Sequence, residues 1–212
     1  MFDDIEAGVP FHPLLQKPSR DYARQRNYTV TDLLLENRIV FLGTIGNTIF
    51  EPIISDPIAN ATIQQLLLLQ YENKTQEIHF YINSPGGSVS STLAIYDTMK
   101  FMECPISTYC VGTAASGAAV LLAAGTKGKR YALPHSRIML HQPWGQIGGQ
   151  ASDVEIKMNE MLRMKDVLNQ ILSECTGRTV DELETETDRD RHFSAQEAKE
   201  FGIVDEVLEK PK

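Results

Sequence analysis

Val111-Gly-Thr-Ala-Ala-Ser-Gly-Ala-Ala-Val-Leu-Leu-Ala-Ala-Gly125 is the stretch on which the reading of this chain turns. It is almost entirely small residues, with one central hydroxyl, Ser116. The residues before it continue a β-pattern, Ile106 to Val111. Those after it, Gly117 to Ala124, form a short apolar helix. A serine at that junction has unpaired backbone N–H groups around it and the positive end of a helix dipole. An acyl-transfer site needs such surroundings to hold an oxyanion. Close helix packing beside an N-cap serine explains the same residues, and nothing inside the stretch decides between the two.

Working upstream, Ile78-His-Phe-Tyr-Ile-Asn83 predicts another buried strand. Ser84-Pro-Gly-Gly-Ser-Val89 follows, and then a helix to about Cys104. Strand, small-residue loop and helix therefore occur twice in succession. If the strands are parallel, both loops lie on one rim of the sheet, where α/β folds bind ligands. The loop with Gly86 and Gly87 then stands beside Ser116. Further upstream, Ile39 to Gly43 predicts a strand, and Ile58 to about Tyr71 a helix. Gly46, Pro52 and Pro57 break regular structure between them. Residues 1–27 show no sustained period and carry Pro10, Pro13 and Pro18, the pattern of a mobile arm or a removable leader. The domain proper then spans 28–212.

Downstream, Ser136 to His141 predicts a strand closed by Gln142-Pro143, which puts His141 at a strand end. His135, in the preceding loop, is the rival histidine. His79, inside a strand, reads as structural. The glycine-rich run from Trp144 to Gln150 leads into a long helix, about Asp153 to Cys175. Ser152 and Glu155 have capping-box spacing, and Gly177 is a natural stop. At 1.5 Å per residue that helix is roughly 35 Å long and should project from the body. Its apolar stripe needs a partner, so self-association is expected. Thr179/Glu182 and Ser194/Glu197 open two further helices with capping boxes. Ile203 to Leu208 predicts a final strand. Asp190, flanked by Arg189 and Arg191, reads either as part of a solvated charged face or as a carboxylate ready to orient a histidine.

The bulk composition narrows the functional class. The chain has 212 residues, a normal apolar content of 42% and a net charge of −8. That charge disfavours nucleic acid or an anionic membrane as the main partner. Three cysteines, Cys104, Cys110 and Cys175, without a CxxC pair, suit buried free thiols better than disulfides or a metal site. No signal peptide or membrane-length apolar run is evident, so a cytoplasmic location is expected. No GxxxxGK[ST] pattern occurs, so no nucleotide site is expected in the chain.

A nucleophile, a base and an orienting acid are thus available in the order Ser116, His141, Asp190. The same residues lie in segments similar to those of the ClpP family, the proteolytic subunits of ATP-dependent Clp proteases. The matching segments are Tyr81-Ile-Asn-Ser-Pro-Gly-Gly87, Gly112-Thr-Ala-Ala-Ser116, Lys127-Gly-Lys-Arg130, His141-Gln-Pro143, Gly149-Gln-Ala-Ser-Asp153 and Thr187-Asp-Arg-Asp-Arg191. The resemblance covers about residues 28–208 in the family's order and spacing. It implies an α/β fold of the ClpP/crotonase-like type, with repeated ββα units and a projecting strand–helix handle at about 142–176. It implies a serine endopeptidase with Ser116 as nucleophile, His141 as general base and Asp190 as its orienting carboxylate. Gly87 and Gly117 would donate the oxyanion-hole N–H groups, and Arg189 would link oligomer contacts to the site. It further implies two stacked heptameric rings, of one or two chain types. A separate AAA+ Clp unfoldase would spend ATP to feed in unfolded polypeptides, with no cofactor or metal in this chain. A catalytically silent ring subunit and a crotonase-fold acyl-CoA enzyme are the alternatives. The chain departs from the family pattern in two places. Gly46 to about Pro57 is longer than usual, and Gly117 stands where a bulky residue, commonly methionine, often follows the nucleophile.

Overall fold

β-Branched and aromatic residues alternating with helical segments produce a largely parallel sheet. A computed structural model describes residues 29–43, 53–145 and 148–209. The chain runs α1 (Val30–Glu36), β1 (Ile39–Leu42), α2 (Asp56–Glu72), β2 (Ile78–Ser84), α3 (Val89–Phe101), β3 (Ile106–Ala115) and α4 (Gly117–Ala123). It continues through β4 (Arg130–Ala132), β5 (Arg137–Leu140), α5 (Ala151–Thr176), α6 (Val180–Glu186), β6 (Arg191–Ser194), α7 (Ala195–Phe201) and β7 (Glu206–Val207). The expected arm, residues 1–27, and most of the segment from Gly46 to Pro57 lie outside the described residues.

The main path of the sheet is β1-β2-β3-β4-β7, all parallel pairs. Strand β3 is long enough to serve two neighbours. Its first half pairs with β4 from Thr108 to Cys110, and its second half with β5 from Thr113 to Ala115. Gly112 marks the change of partner. Its φ of 91° falls in the left-handed region, and a Cβ there would sit 2.8 Å from Asn83 Oδ1. The missing side chain at Gly112 therefore has a local reason. Asn83 fills that space and accepts a hydrogen bond from Thr113 N–H at 3.1 Å.

Period-two alternation divides the sheet's faces. Ile78, Phe80 and Ile82 of β2 enter the main core, with Leu66 and Leu69 of α2, Ile95 and Met99 of α3, and Val120 to Ala123 of α4. The alternate residue, Tyr81, joins a separate cluster with Ile39 and Tyr109. There Tyr81 stacks on Tyr109 at 4.5 Å and Tyr109 on Tyr131 at 5.0 Å, one ring from each of three adjacent strands. His79 is structural, as expected, with Nδ1 3.0 Å from the Tyr109 hydroxyl.

The capping boxes at Thr179/Glu182 and Ser194/Glu197 both form, and Gly177 ends α5 in the left-handed conformation. A further box, Thr29 with Asp32, opens α1. The Ser152/Glu155 box does not form. The helix begins earlier, with Gln150 as N-cap, so Ser152 is already inside it. The last strand is also shorter than expected. Ile203 and Val204 are consumed in closing α7, both turning their N–H groups back to Ala198 O. Only Glu206 and Val207 remain to pair with β4.

Helix α5 spans 26 residues, about 39 Å. Its buried residues are Asn169, Ile171, Leu172 and Cys175, all near its C-terminus. Its N-terminal half stands clear of the core, with Ile156, Met158 and Leu162 exposed. No described helix is long and apolar enough to cross a membrane.

Candidate active site

Strand register brings the three candidate residues together. In the parallel β3–β5 ladder Ala115 is level with Met139, and Ser116 N–H donates to Met139 O at 2.8 Å. Ser116 and His141 therefore leave the sheet at the same end, at the carboxyl ends of neighbouring strands. In the antiparallel β5–β6 ladder Leu140 is level with Arg191. Extending that register by one residue sets His141 opposite Asp190. The side chains meet, with His141 Nδ1 3.4 Å from Asp190 Oδ1. Gln142 N–H donates to Thr187 O at 3.1 Å and closes the ladder beyond them.

Ser116 is no ordinary helix cap. It occupies the N-cap position of α4, yet its side chain accepts no capping hydrogen bond. Its φ is 55° and its ψ −126°, in a region that non-glycine residues rarely occupy. Besides Arg38 it is the one non-glycine residue with positive φ among those described. A sharp strand-to-helix turn that lifts a serine out of its strand is how a nucleophile elbow exposes a hydroxyl.

The Gly86-Gly87 loop is pressed against this turn. A Cβ on Gly86 would lie 2.6 Å from Ala115 O, 2.7 Å from Ser116 Cβ and 3.0 Å from Gly117 N. The loop is held from its other side by Ile54. Ile54 N–H donates to Gly86 O at 2.7 Å and Ile54 O accepts from Ser88 N–H at 2.8 Å. Gly117 is the first residue of α4, so its N–H has no intrahelical acceptor. Gly87, Ser116, Gly117 and His141 line one recess, with Thr92, Asn169, Leu172 and Thr187 among its walls.

His141 and Asp190 differ in setting. The His141 side chain is 16% exposed and that of Asp190 64%. Arg191 points elsewhere, to Glu186 at 2.9 Å, and among the described residues Arg189 pairs with Asp188, at 3.6 Å. No hydrogen bond links Ser116 Oγ to His141 among the described residues; such contacts often tighten only around a bound substrate. His135 is exposed, in the turn at the opposite end of β5, and does not reach the recess.

Gly117 has a physical reason here. A Cβ at this position would meet Thr92 Oγ1 at 2.3 Å and Thr92 Cγ2 at 3.1 Å. Thr92 is fully buried and tied by its hydroxyl to Ser88 O at 2.9 Å. Thr92 thus fills the space beside the nucleophile that a larger residue at 117 would need. Gly117→Ala is expected to lower stability by about 1–3 kcal/mol through overpacking. Adding Thr92→Ala should make the combined loss smaller than the sum of the single ones, read by denaturant unfolding of the four proteins.

The three thiols are free and buried, as expected. Burial pushes each upward, Cys110 to about 11, so none is poised as a thiolate nucleophile. Sequence reasoning missed two walls of the recess, Thr92 and Asn169. The available signal for Asn169 was an amide set among the apolar residues Val167, Leu168, Ile171 and Leu172 of α5.

Comparison with known proteins agrees with this geometry. The Clp protease family model matches residues 22–211. The ATP-dependent Clp protease proteolytic subunit 1 of Rhodopirellula baltica is 53% identical over 189 residues, covering 89% of this chain and 80% of that protein. The fold is ClpP/crotonase-like, and the chain belongs to the Clp protease family, as a serine endopeptidase.

Proposed function

We propose that this chain, a proteolytic subunit of the ATP-dependent Clp type, hydrolyses peptide bonds with Ser116 as its nucleophile. The observation that carries the assignment is the strained Ser116 turn sharing one recess with His141, Gly87 and Gly117. Because Asp190 faces Nδ1 of His141, Nε2 is the nitrogen free to serve the hydroxyl. Ser116 Oγ bonds to the scissile carbonyl carbon while His141 Nε2 takes its proton. The carbonyl oxygen becomes an oxyanion facing the N–H groups of Gly87 and Gly117. Collapse breaks the C–N bond, and His141 returns the proton to the departing amine. Water then repeats the sequence on the acyl-enzyme. Asp190 fixes the tautomer and offsets the charge of the imidazolium. No cofactor or metal is required in this chain. The direct test is hydrolysis of an unstructured fluorogenic peptide, which Ser116→Ala should abolish.

Membership in the family brings oligomeric assembly and partnership with a Clp ATPase. The finer proposal is two stacked seven-membered rings, joined by the handle at 142–176 and fed with unfolded polypeptide by an AAA+ unfoldase in the cytoplasm. The free half of α5 supports the handle role, since exposed Ile156, Met158 and Leu162 need cover. Trp144, a few residues before this helix, is also 80% exposed. Arg189, whose side chain is 94% exposed, would reach a neighbouring subunit. Ile156→Glu combined with Leu162→Glu should halve the mass of the assembly in solution. An unchanged mass would remove the handle from the ring–ring contact.

A further inference from the structure

One buried polar group in the recess is unused by the mechanism. Asn169 lies on α5 and is 4% exposed. Its Nδ2 is buried and meets no hydrogen-bond acceptor, the only such side-chain atom among the described residues. A donor stripped of water without a partner carries a desolvation penalty, so one that persists calls for a ligand or a trapped water. Asn169 also lines the recess that holds Ser116 and His141. Val89, Val120, Leu140, Pro143, Leu168 and Leu172 give the recess its apolar walls. The two buried threonine hydroxyls in the wall are satisfied, Thr92 by Ser88 O and Thr187 by Leu183 O. The amide is therefore a buried side-chain donor left unspent among apolar wall residues beside the nucleophile.

We propose that Asn169 is a specificity-determining residue, donating from Nδ2 to an acceptor atom on the substrate side chain that enters this recess. The inference rests on Ser116 being the nucleophile, which makes the adjoining recess the seat of the residue on the acyl side of the scissile bond. It names a substrate class: neutral side chains carrying an oxygen acceptor, accepted alongside apolar ones of similar shape. Anionic side chains are disfavoured, because a carboxylate would enter an apolar pocket with one neutral donor to offset its desolvation. The selectivity expected follows from general behaviour. A site holding a buried donor discriminates against a substrate that leaves that donor unpaired.

The test compares two peptides that differ by one atom, carrying norvaline or O-methylserine before the scissile bond. The two side chains have nearly the same shape, and only the second offers an ether acceptor. The full-length assembled protein is assayed as wild type, as Asn169→Leu and as Ser116→Ala. The ratio of kcat/KM for O-methylserine over norvaline should fall about tenfold on going from wild type to Asn169→Leu. A role limited to packing, or a donor satisfied by a fixed water, would slow both peptides together. An unchanged ratio would overturn the assignment. If Asn169→Leu fails to fold, the wild type decides alone. Norvaline preferred by more than about fivefold would overturn the donor role; parity, or preference for O-methylserine, supports it. Residual hydrolysis in Ser116→Ala at the wild-type rate would instead sink the nucleophile assignment, and this inference with it. Loss of hydrolysis there with an unchanged ratio refutes the role of Asn169 alone.

Discussion

Replacing His141 by alanine should lower kcat for peptide hydrolysis by about 10⁴–10⁶, while His135→Ala leaves it within about twofold. The two histidines lie six positions apart, and position in sequence favoured His141 without excluding His135. Register separates them. The β3–β5 ladder delivers His141 to the end of the sheet where Ser116 turns out, and it holds His135 at the other end. The loss should appear in kcat rather than KM, because the imidazole moves a proton in the transition state and contributes little to peptide binding. Combining Ser116→Ala with His141→Ala should cost little more than either alone, since the two act as one unit. Asp190→Asn should cost less, at most about 10⁴. Its contact to His141 is 3.4 Å and its carboxylate is mostly exposed, so water shares the task of balancing the imidazolium. Steady-state kinetics on one fluorogenic peptide measures all of these. Equal losses for His135 and His141 would refute the assignment of the base.

The second large effect concerns stability. Asp205→Ala should destabilise the folded chain by about 3–5 kcal/mol, the usual cost of leaving a buried charge unpaired. The orphaned partner is Arg130, which is 1% exposed. Its Nε and Nη2 donate to the two oxygens of Asp205 at 2.8 and 2.6 Å. Its Nη1 reaches Ala123 O at 3.2 Å and Cys175 O at 2.8 Å, near the C-terminal ends of α4 and α5. The pair thus anchors the helix that follows Ser116 and the helix that carries Asn169. The Lys127-Gly-Lys-Arg130 segment has the same explanation. Gly128, at a φ of 84°, turns its N–H to Asp205 Oδ2 at 2.8 Å. Partial burial pushes the Asp205 carboxyl up, but the hydrogen bonds and charge of Arg130 outweigh it and hold the group below its usual value. Its stabilising contribution is therefore complete above the unfolded value near pH 4, and is lost as pH falls through the lower folded value. Denaturant midpoints at fixed protein concentration should show the loss for Asp205→Ala at pH 7, and a smaller difference between the two proteins under strong acid.

Elements with strong local signals are legible in the sequence alone. The repeated strand–loop–helix units, the long α5 with its Gly177 stop and two capping boxes follow from period, cap chemistry and glycine placement. What escapes is set by partners distant in sequence. Strand β6 is four residues, Arg-His-Phe-Ser, with no apolar run to announce it. It exists because β5 offers an unpaired edge. That short ladder is also what moves Asp190 from a charged surface turn to the side of His141. Gly112 reads as one more small residue and is in fact room for Asn83, a contact across 29 positions that composition could not show. Gly117 reads as a lost side chain, but Thr92, 25 residues earlier, occupies that space. In each case local pattern gives the residue types, and register or packing decides their use.

The central claim is that Ser116 is an activated nucleophile. A fluorophosphonate probe reacts covalently with such a hydroxyl and leaves unactivated serines untouched. Labelling the assembled protein and locating the adduct by mass spectrometry should find it on Ser116, with the signal abolished in Ser116→Ala and strongly reduced in His141→Ala. Absence of label on Ser116 across several assembly conditions, together with unchanged peptide hydrolysis in Ser116→Ala, would contradict the account.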